Sequence, residues 1–174
     1  MILIACADRG WGIGYKNRLL FSIPEDMSFF RQITAGKTVV MGRKTFESLK
    51  VKPLSGRRNI LLTRNRSFVF EGVEIVHSTK ELAELTQNTK SEDIVVIGGS
   101  QVYKQLMEYC DTAYITKVFA ESPADSFLPD FDSLEDWKVA EMSDIKEHNG
   151  LKYRFVTYKR TPQQSRVCPG TDSI

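Results

Sequence analysis

The run Ile94-Val95-Val96-Ile97, closed by Gly98-Gly99, constrains this chain more than any other stretch. Four branched apolar residues with no polar alternation fit a strand covered on both faces, the kind found in parallel sheets flanked by helices. After the glycines a helical pattern begins, with Val102, Leu106 and Met107 on one face. The glycines serve either a tight strand-to-helix turn or a ligand, because missing Cβ atoms permit close approach to N–H groups that favour an anion. Thr38-Val39-Val40-Met41-Gly42 repeats the design and runs into a helix at Arg43-Lys44-Thr45. That helix start is a solvated basic turn or a phosphate site, since two cations and a hydroxyl suit phosphate. Two such crevices in one small chain favour a nucleotide.

The remaining segments fit an α/β chain. Ile2 to Ala7 reads as a first buried strand. Asp8 to Ile23 reads as a long loop carrying Gly10, Gly12 and Gly14, either plain surface or a cover for a ligand. Pro24 opens a helix, with Glu25 and Asp26 at its positive end and Met27, Phe30 and Ile33 on one face. Asp26 either serves the helix dipole or is a carboxylate at the rim of an apolar pocket, poised for a cationic or amide-like heterocycle. Pro53 to Arg58 is a turn with two arginines, and Asn59 to Thr63 is a strand followed by Arg64-Asn65-Arg66. Ligands of doubly wound sheets bind at the carboxyl ends of strands, which brings Thr63 and Arg64 toward Arg43 and Lys44. Val73 to Val76 is a short strand, and Ser78 with Glu81 forms a capping box for a helix over Thr79 to Thr86. Thr112 to Phe119 is a strand, and an acidic loop follows over 123–136. Trp137 to Met142 and Leu151 to Lys159 flank His148-Asn149-Gly150, whose Asn-Gly pair predicts antiparallel strands.

Totals narrow the function classes. At 174 residues one domain is the default, here 1–160, followed by a polar, loosely attached tail over 161–174. A net charge of +2 without a basic block argues against a nucleic-acid surface, and no run is long enough to cross a membrane. Cys6, Cys110 and Cys168 are odd in number and widely spaced, which suggests a reducing, cytoplasmic setting. His77 and His148 stand alone, so no metal site is expected.

Ile13-Gly14 with Asn17, Pro24-Glu25-Asp26 with Phe30, Met41 to Ser48, Pro53-Leu54 with Gly56-Arg57, Ile97-Gly98-Gly99 with Val102-Tyr103, and Thr116 occur in an order and spacing that resembles dihydrofolate reductase over about residues 1 to 160. The resemblance implies a mostly parallel eight-stranded central sheet with four flanking helices and an antiparallel C-terminal strand. It implies hydride transfer from NADPH to 7,8-dihydrofolate, giving the tetrahydrofolate used in one-carbon metabolism and thymidylate synthesis. It also implies a monomer that takes antifolates such as trimethoprim or methotrexate. Two alternatives stand beside it. One is the same fold and cofactor acting on another heterocycle, as in the reductases of riboflavin biosynthesis. The other is a folate- and NADPH-binding protein without turnover.

The resemblance assigns residues one by one. Asp26 would hold the pterin 2-amino group and N3 and favour protonation at N5, with the proton arriving through water. Thr116 would support Asp26. Ile4, Ala5, Met27, Phe30, Arg31, Leu49, Leu54 and Ile97 match folate-pocket positions, and Arg57 matches the arginine that pairs with the α-carboxylate of the glutamate tail. On the cofactor side the matches are Cys6, Ile13, Asn17, Leu19, Gly42, Arg43, Lys44, Thr45, Leu62, Thr63, Arg64, Gly98, Gly99, Ser100, Gln101, Val102 and Tyr103, with His77 a lesser candidate. Arg43, Thr63 and Arg64 would meet the adenosine 2′-phosphate and favour NADPH over NADH. Two departures stand out. Leu20-Phe21 replaces a Pro-Trp pair common in bacterial members, so the ring N–H donor is lost. Cys6 replaces a usual alanine and implies sensitivity to thiol reagents.

Overall fold

The computed structural model describes residues 1–161, so the tail expected over 161–174 lies outside the described residues except for Thr161. In chain order the strands and helices are β1 (Ile2–Ala7), β2 (Gly12–Tyr15), β3 (Arg18–Leu19), α1 (Pro24–Thr34), β4 (Thr38–Gly42), α2 (Arg43–Ser48), β5 (Arg58–Leu62) and β6 (Glu74–Val76). They continue as α3 (Thr79–Thr86), β7 (Ile94–Gly98), α4 (Ser100–Leu106), β8 (Thr112–Val118), β9 (Ser126–Phe127), β10 (Trp137–Met142), β11 (Lys146–His148) and β12 (Leu151–Arg160). Eight strands lie side by side in the order β10-β12-β8-β1-β7-β4-β5-β6, and β11 joins as a ninth that pairs with β12. From β8 to β6 every pairing is parallel, whereas β12 runs antiparallel to β8, β10 and β11. The architecture is the mostly parallel sheet with four helices and an antiparallel C-terminal strand that the resemblance implies.

The unbroken apolar runs end up at the centre because only a strand covered on both faces can use them. Leu3, Val39, Val40, Ile60, Val95 and Val96 have no exposed surface at all. Full burial of such side chains contributes about 1.5–3 kcal/mol each as an upper figure, so the four central strands dominate the hydrophobic term. The sheet divides the core into two large clusters. One face carries Ile2, Ile4, Val39, Met41, Phe46, Leu61, Val95 and Ile97, with Phe29, Phe30 and Ile33 of α1 packed on it. The other carries Leu3, Ala7, Val40, Ile60, Val96 and the buried face of α4. No helix among the described residues is long and apolar enough to cross a membrane.

Two segments differ from expectation. The stretch from Asp8 to Ile23 is no plain loop: β2 and β3 form a hairpin whose outer side pairs with β9. Its turn residues Lys16 and Asn17 have φ of 48° and 60°, the mirror-image turn that suits strand twist. Lys-Asn carries that geometry without the glycine that usually signals it. The 123–136 segment likewise contains β9. The Asn149-Gly150 turn is present, with φ of 48° and 78°, but it joins β11 to β12 and β10 pairs farther along. The capping box of α3 is reached in a variant form. Ser78 Oγ accepts the Glu81 N–H at 3.1 Å, while Glu81 Oε2 accepts from the His77 N–H at 2.7 Å, one residue earlier than the cap.

Candidate active site

Asp26 lies in the first turn of α1, half-buried between that helix and the sheet. Phe29, three residues on, fixes the helix by packing on Phe155 at 4.7 Å and edge-on against Tyr114 at 5.7 Å between centroids. Thr116 of β8 donates its hydroxyl to Asp26 Oδ1 at 2.6 Å. Burial raises the Asp26 carboxyl above the usual carboxylate range, and the Thr116 bond opposes that rise. Its neighbour Glu25 goes the other way. Lys146 Nζ and the Tyr153 hydroxyl both donate to it at 2.7 Å, and these bonds lower its pKa. Adjacent carboxylates with oppositely shifted pKa values mark a division of labour: Glu25 pins the helix to β11 and β12, and Asp26 has Thr116 as its side-chain partner and no cation partner among the described residues.

The apolar side chains expected around the ligand come from one cluster. Ile4, Ile97, Phe30, Leu49 and Leu54 all belong to the α1 face of the sheet, and Met27 stands at the rim, 36% exposed. Ala5 does not join them. Strand alternation turns its methyl to the opposite cluster, so only its backbone remains on the cleft side. At the far end Arg57 Nη1 donates to Thr34 Oγ1 at 3.0 Å and its Nε to Ser55 O at 3.0 Å. Burial, and then the nearby Arg31, lower the Arg57 pKa. Two guanidinium groups thus lie near each other, and neither has an ion-pair partner among the described residues.

On the other side of the strand ends lie the glycine crevices. Gly42 and Gly99 cap α2 and α4, and neither helix start has a side-chain cap, so its first N–H groups remain available. Packing around the glycines is close. A Cβ at Gly42 would lie 3.1 Å from Val102 Cγ2, and one at Gly99 would lie 3.1 Å from Thr45 Oγ1. Tyr103 is buried beneath Gly98 and donates its hydroxyl to Ile4 O at 2.8 Å. The side chains of Ile13, Leu62, Val102 and Tyr103 all fall in the cluster opposite the cleft. Ser100 and Thr45 are half-buried, while Lys44, Asn17, Leu19 and Gln101 are exposed. Strand register sets a basic edge. Gly42 pairs with Leu62 and Leu62 with Val76, so Arg43, Thr63 and His77 follow in a row across three strand ends, with Arg64 next to Thr63. His77 Nδ1 lies 2.7 Å from Thr63 O, and Arg43 is held by Glu47 at 2.6 Å.

The surroundings of Cys6 bear on its expected thiol sensitivity. It sits half-buried with Phe21, Ile23, Tyr153 and Phe155, on the same face as Ile4. Burial, then the negative charges of Asp26 and Asp8, push its thiol well above the usual range. The thiolate is the reactive form, and an environment of this kind disfavours it. A thiol reagent such as dithionitrobenzoate is expected to leave activity nearly unchanged over minutes. Rapid inactivation abolished by Cys6→Ser would show the opposite.

Three residues near the site escape sequence reading. Thr34, wholly buried, donates to Phe30 O at 2.8 Å and turns Arg57. Asn59 holds the Arg57 turn by accepting from Leu54 N at 3.0 Å and donating to the Leu54 and Arg57 carbonyls at 2.9 Å each. Asp8 is buried at the foot of the β2–β3 hairpin. Only Asp8 had a local signal: an aspartate between a buried strand and closely spaced glycines is a turn former. No group of three or more His, Cys, Asp or Glu side chains among the described residues is placed to hold a metal.

Comparison with known proteins gives a consistent result. The family model described as dihydrofolate reductase matches residues 1–160. The chain is 40% identical over 160 residues to a dihydrofolate reductase of Neisseria meningitidis serogroup B, covering 91% of this chain and 96% of that protein. It is 37% identical over 150 residues to that of Bacillus subtilis, covering 85% and 87%. With a Staphylococcus aureus dihydrofolate reductase it shares 35% over 146 residues, covering 83% and 87%.

Proposed function

This chain belongs to the dihydrofolate reductase family, and from that premise we propose how its residues serve the reduction of 7,8-dihydrofolate to 5,6,7,8-tetrahydrofolate with NADPH. The observation that carries the assignment is the Asp26 carboxylate, half-buried with Thr116 as its side-chain hydrogen-bond partner and no cation beside it among the described residues. An uncompensated carboxylate there is costly. A pterin ring offsets that cost by presenting a 2-amino group and N3–H as paired donors. Thr116 fixes the carboxylate that would meet those donors.

The reduction adds a proton to N5 and a hydride to C6. The negative charge of Asp26 raises the proton affinity of the bound ring, and the proton reaches N5 through water because the carboxylate lies at the other end of the heterocycle. Ile4, Phe30, Leu49, Leu54 and Ile97 exclude bulk solvent from the ring, with Met27 at the entrance. Arg57, already turned by Thr34 and Ser55, pairs with the α-carboxylate of the glutamate tail in a two-bond fork, with Arg31 adding charge.

The residues fit NADPH on three counts: two uncapped helix starts, glycines at 42, 98 and 99, and a basic edge at three strand ends. When bound, NADPH supplies the hydride. Gly98, Gly99 and Ser100 would approach the pyrophosphate and nicotinamide end, while Gly42, Lys44 and Thr45 would hold phosphate oxygens. Arg43, Thr63 and Arg64 would meet the 2′-phosphate, with His77 beside them. The side chains of Leu62 and Val102 are core, so they meet the cofactor through backbone. The core side chains of Ile13 and Tyr103 likewise back the site rather than face it, Asn17, Leu19 and Gln101 complete the binding surface, and Cys6 stays a small neutral thiol beside it. The chain works as a monomer in the cytoplasm, and its cleft takes antifolates of the trimethoprim or methotrexate kind.

NADPH oxidation by the purified chain, with and without dihydrofolate, tests the reaction. Consumption that requires dihydrofolate is expected. Binding of both compounds without consumption would leave only a binding role. In the same assay the double variant Arg43→Ala, Arg64→Ala is expected to reduce the NADPH-over-NADH preference in kcat/KM by about tenfold for each charge-assisted hydrogen bond removed. An unchanged preference would remove both arginines from the 2′-phosphate site.

A further inference from the structure

Asp8 has no part in the chemistry above, yet it is the one carboxylate in the buried class among the described residues, 4% exposed, and no cation pairs with it there. Backbone N–H groups satisfy it instead. Gly10 N and Gly12 N donate to Oδ1 at 2.9 and 2.7 Å, and Ser122 N donates to Oδ2 at 3.1 Å. One side chain therefore joins three segments: the end of β1, the foot of the β2–β3 hairpin and the chain leaving β8. Main-chain bonds from Asp8 N to Gly12 O and from Arg9 N to Ala120 O, 2.9 and 3.0 Å, bracket the same junction.

The surroundings are built to admit the carboxylate. A Cβ at Gly12 would lie 2.7 Å from Ala124 Cβ and 3.1 Å from each Asp8 oxygen. Trp11, between the two glycines, has φ of 63°, a conformation a bulky residue keeps only when its surroundings impose it. The junction is also close to the site. Cys6, two residues before Asp8, pairs with Thr116, the hydroxyl that holds Asp26.

We propose that Asp8 is a positioning residue. Its carboxylate fixes the foot of the hairpin against the segment after β8 and so holds Ile13, Asn17 and Leu19 over the cofactor end of the site. This rests on the cofactor role assigned to the hairpin above. The hairpin also pairs with β9, so losing Asp8 loosens it without detaching it.

Asp8→Asn keeps one acceptor oxygen but puts an NH2 donor where a second acceptor is needed, whereas Asp8→Ala removes all three side-chain bonds. At a temperature where circular dichroism finds each variant folded, the Kd for NADPH is expected to rise about fivefold in Asp8→Asn and further in Asp8→Ala. Dihydrofolate binding to the free enzyme, which relies on Asp26 and Arg57, should change less than about twofold. Trypsin should cut faster after Lys16 and Arg18, both exposed in the hairpin. A melting temperature that falls while NADPH affinity and the trypsin pattern stay at wild-type values would overturn the proposal and leave Asp8 a stability residue. Should Asp8→Ala fail to fold, Asp8→Asn carries the test. A wild-type chain that binds no NADPH would refute the cofactor reading instead, and trypsin cleavage would still report on the clamp.

Discussion

Replacing Asp26 by asparagine is expected to lower kcat with dihydrofolate by about 10²–10³-fold at neutral pH, within the range for losing an acid–base group. The change is nearly isosteric. The amide oxygen can still accept from Thr116, which now donates to Asp26 at 2.6 Å, so shape and packing persist and only the negative charge goes. Without it the bound ring has no local reason to take up a proton at N5. Activity should recover in part toward acidic pH, where substrate arrives already protonated. Stability should move the other way. Burial raises the Asp26 pKa above the usual carboxylate value, so the folded state binds that proton more tightly than the unfolded chain. Ionising it therefore costs stability as pH climbs out of the ordinary carboxylate range and through the raised value, and the cost is absent below that window. Asp26→Asn should thus unfold at least as high as wild type at neutral pH and lose that advantage in acid. Paired pH profiles of kcat and of thermal unfolding check both halves. A variant that is slow because it is unfolded would refute the assignment of Asp26 to proton affinity.

Gly98→Ala is expected to cost about 2–5 kcal/mol in stability, combining a forbidden backbone conformation with an overpacked neighbour. Gly98 has φ of 118°, which L side chains rarely adopt. The new methyl would lie 3.2 Å from the Tyr103 hydroxyl and 3.3 Å from its ring carbons. Tyr103 cannot yield cheaply, since it is 4% exposed and bonded to Ile4 O at 2.8 Å. Any relief would come from shifting the start of α4, and NADPH affinity should fall with stability. Gly36→Ala is the control. Gly36 also has a positive φ, 72°, but an added methyl there meets nothing within 4 Å, so only the left-handed penalty of about 1–2 kcal/mol applies. Urea unfolding of the two variants separates the terms. Equal losses would mean that packing against Tyr103 contributes nothing.

The framework was legible because it rests on local rules. β1, β4 and β10 fall where their apolar runs or flanking turns placed them, and Pro24 starts α1. The β2–β3 hairpin was not legible, because Lys16-Asn17 lacks the glycine signal and its partner β9 is a two-residue strand about a hundred positions away. Ala5 and Ile4 are neighbours in sequence, yet strand alternation places them on opposite faces, which a set of pocket positions does not resolve.

By itself the sequence determined the parallel sheet, the two glycine-ended strands and, through the resemblance, the reaction and its cofactor. These depend on residue periodicity, on glycine and proline stereochemistry, and on motifs whose order survives in one dimension. Only the tertiary structure decided the electrostatics. Two adjacent carboxylates acquire opposite pKa shifts because Glu25 meets Lys146 and Tyr153, more than a hundred residues away, while Asp26 meets an apolar wall and Thr116. The surroundings of Cys6 and the hydrogen-bond partners of Asp8 are set in the same way. Burial and hydrogen-bond partners are set by what folds against a side chain, and the local sequence carries no record of that.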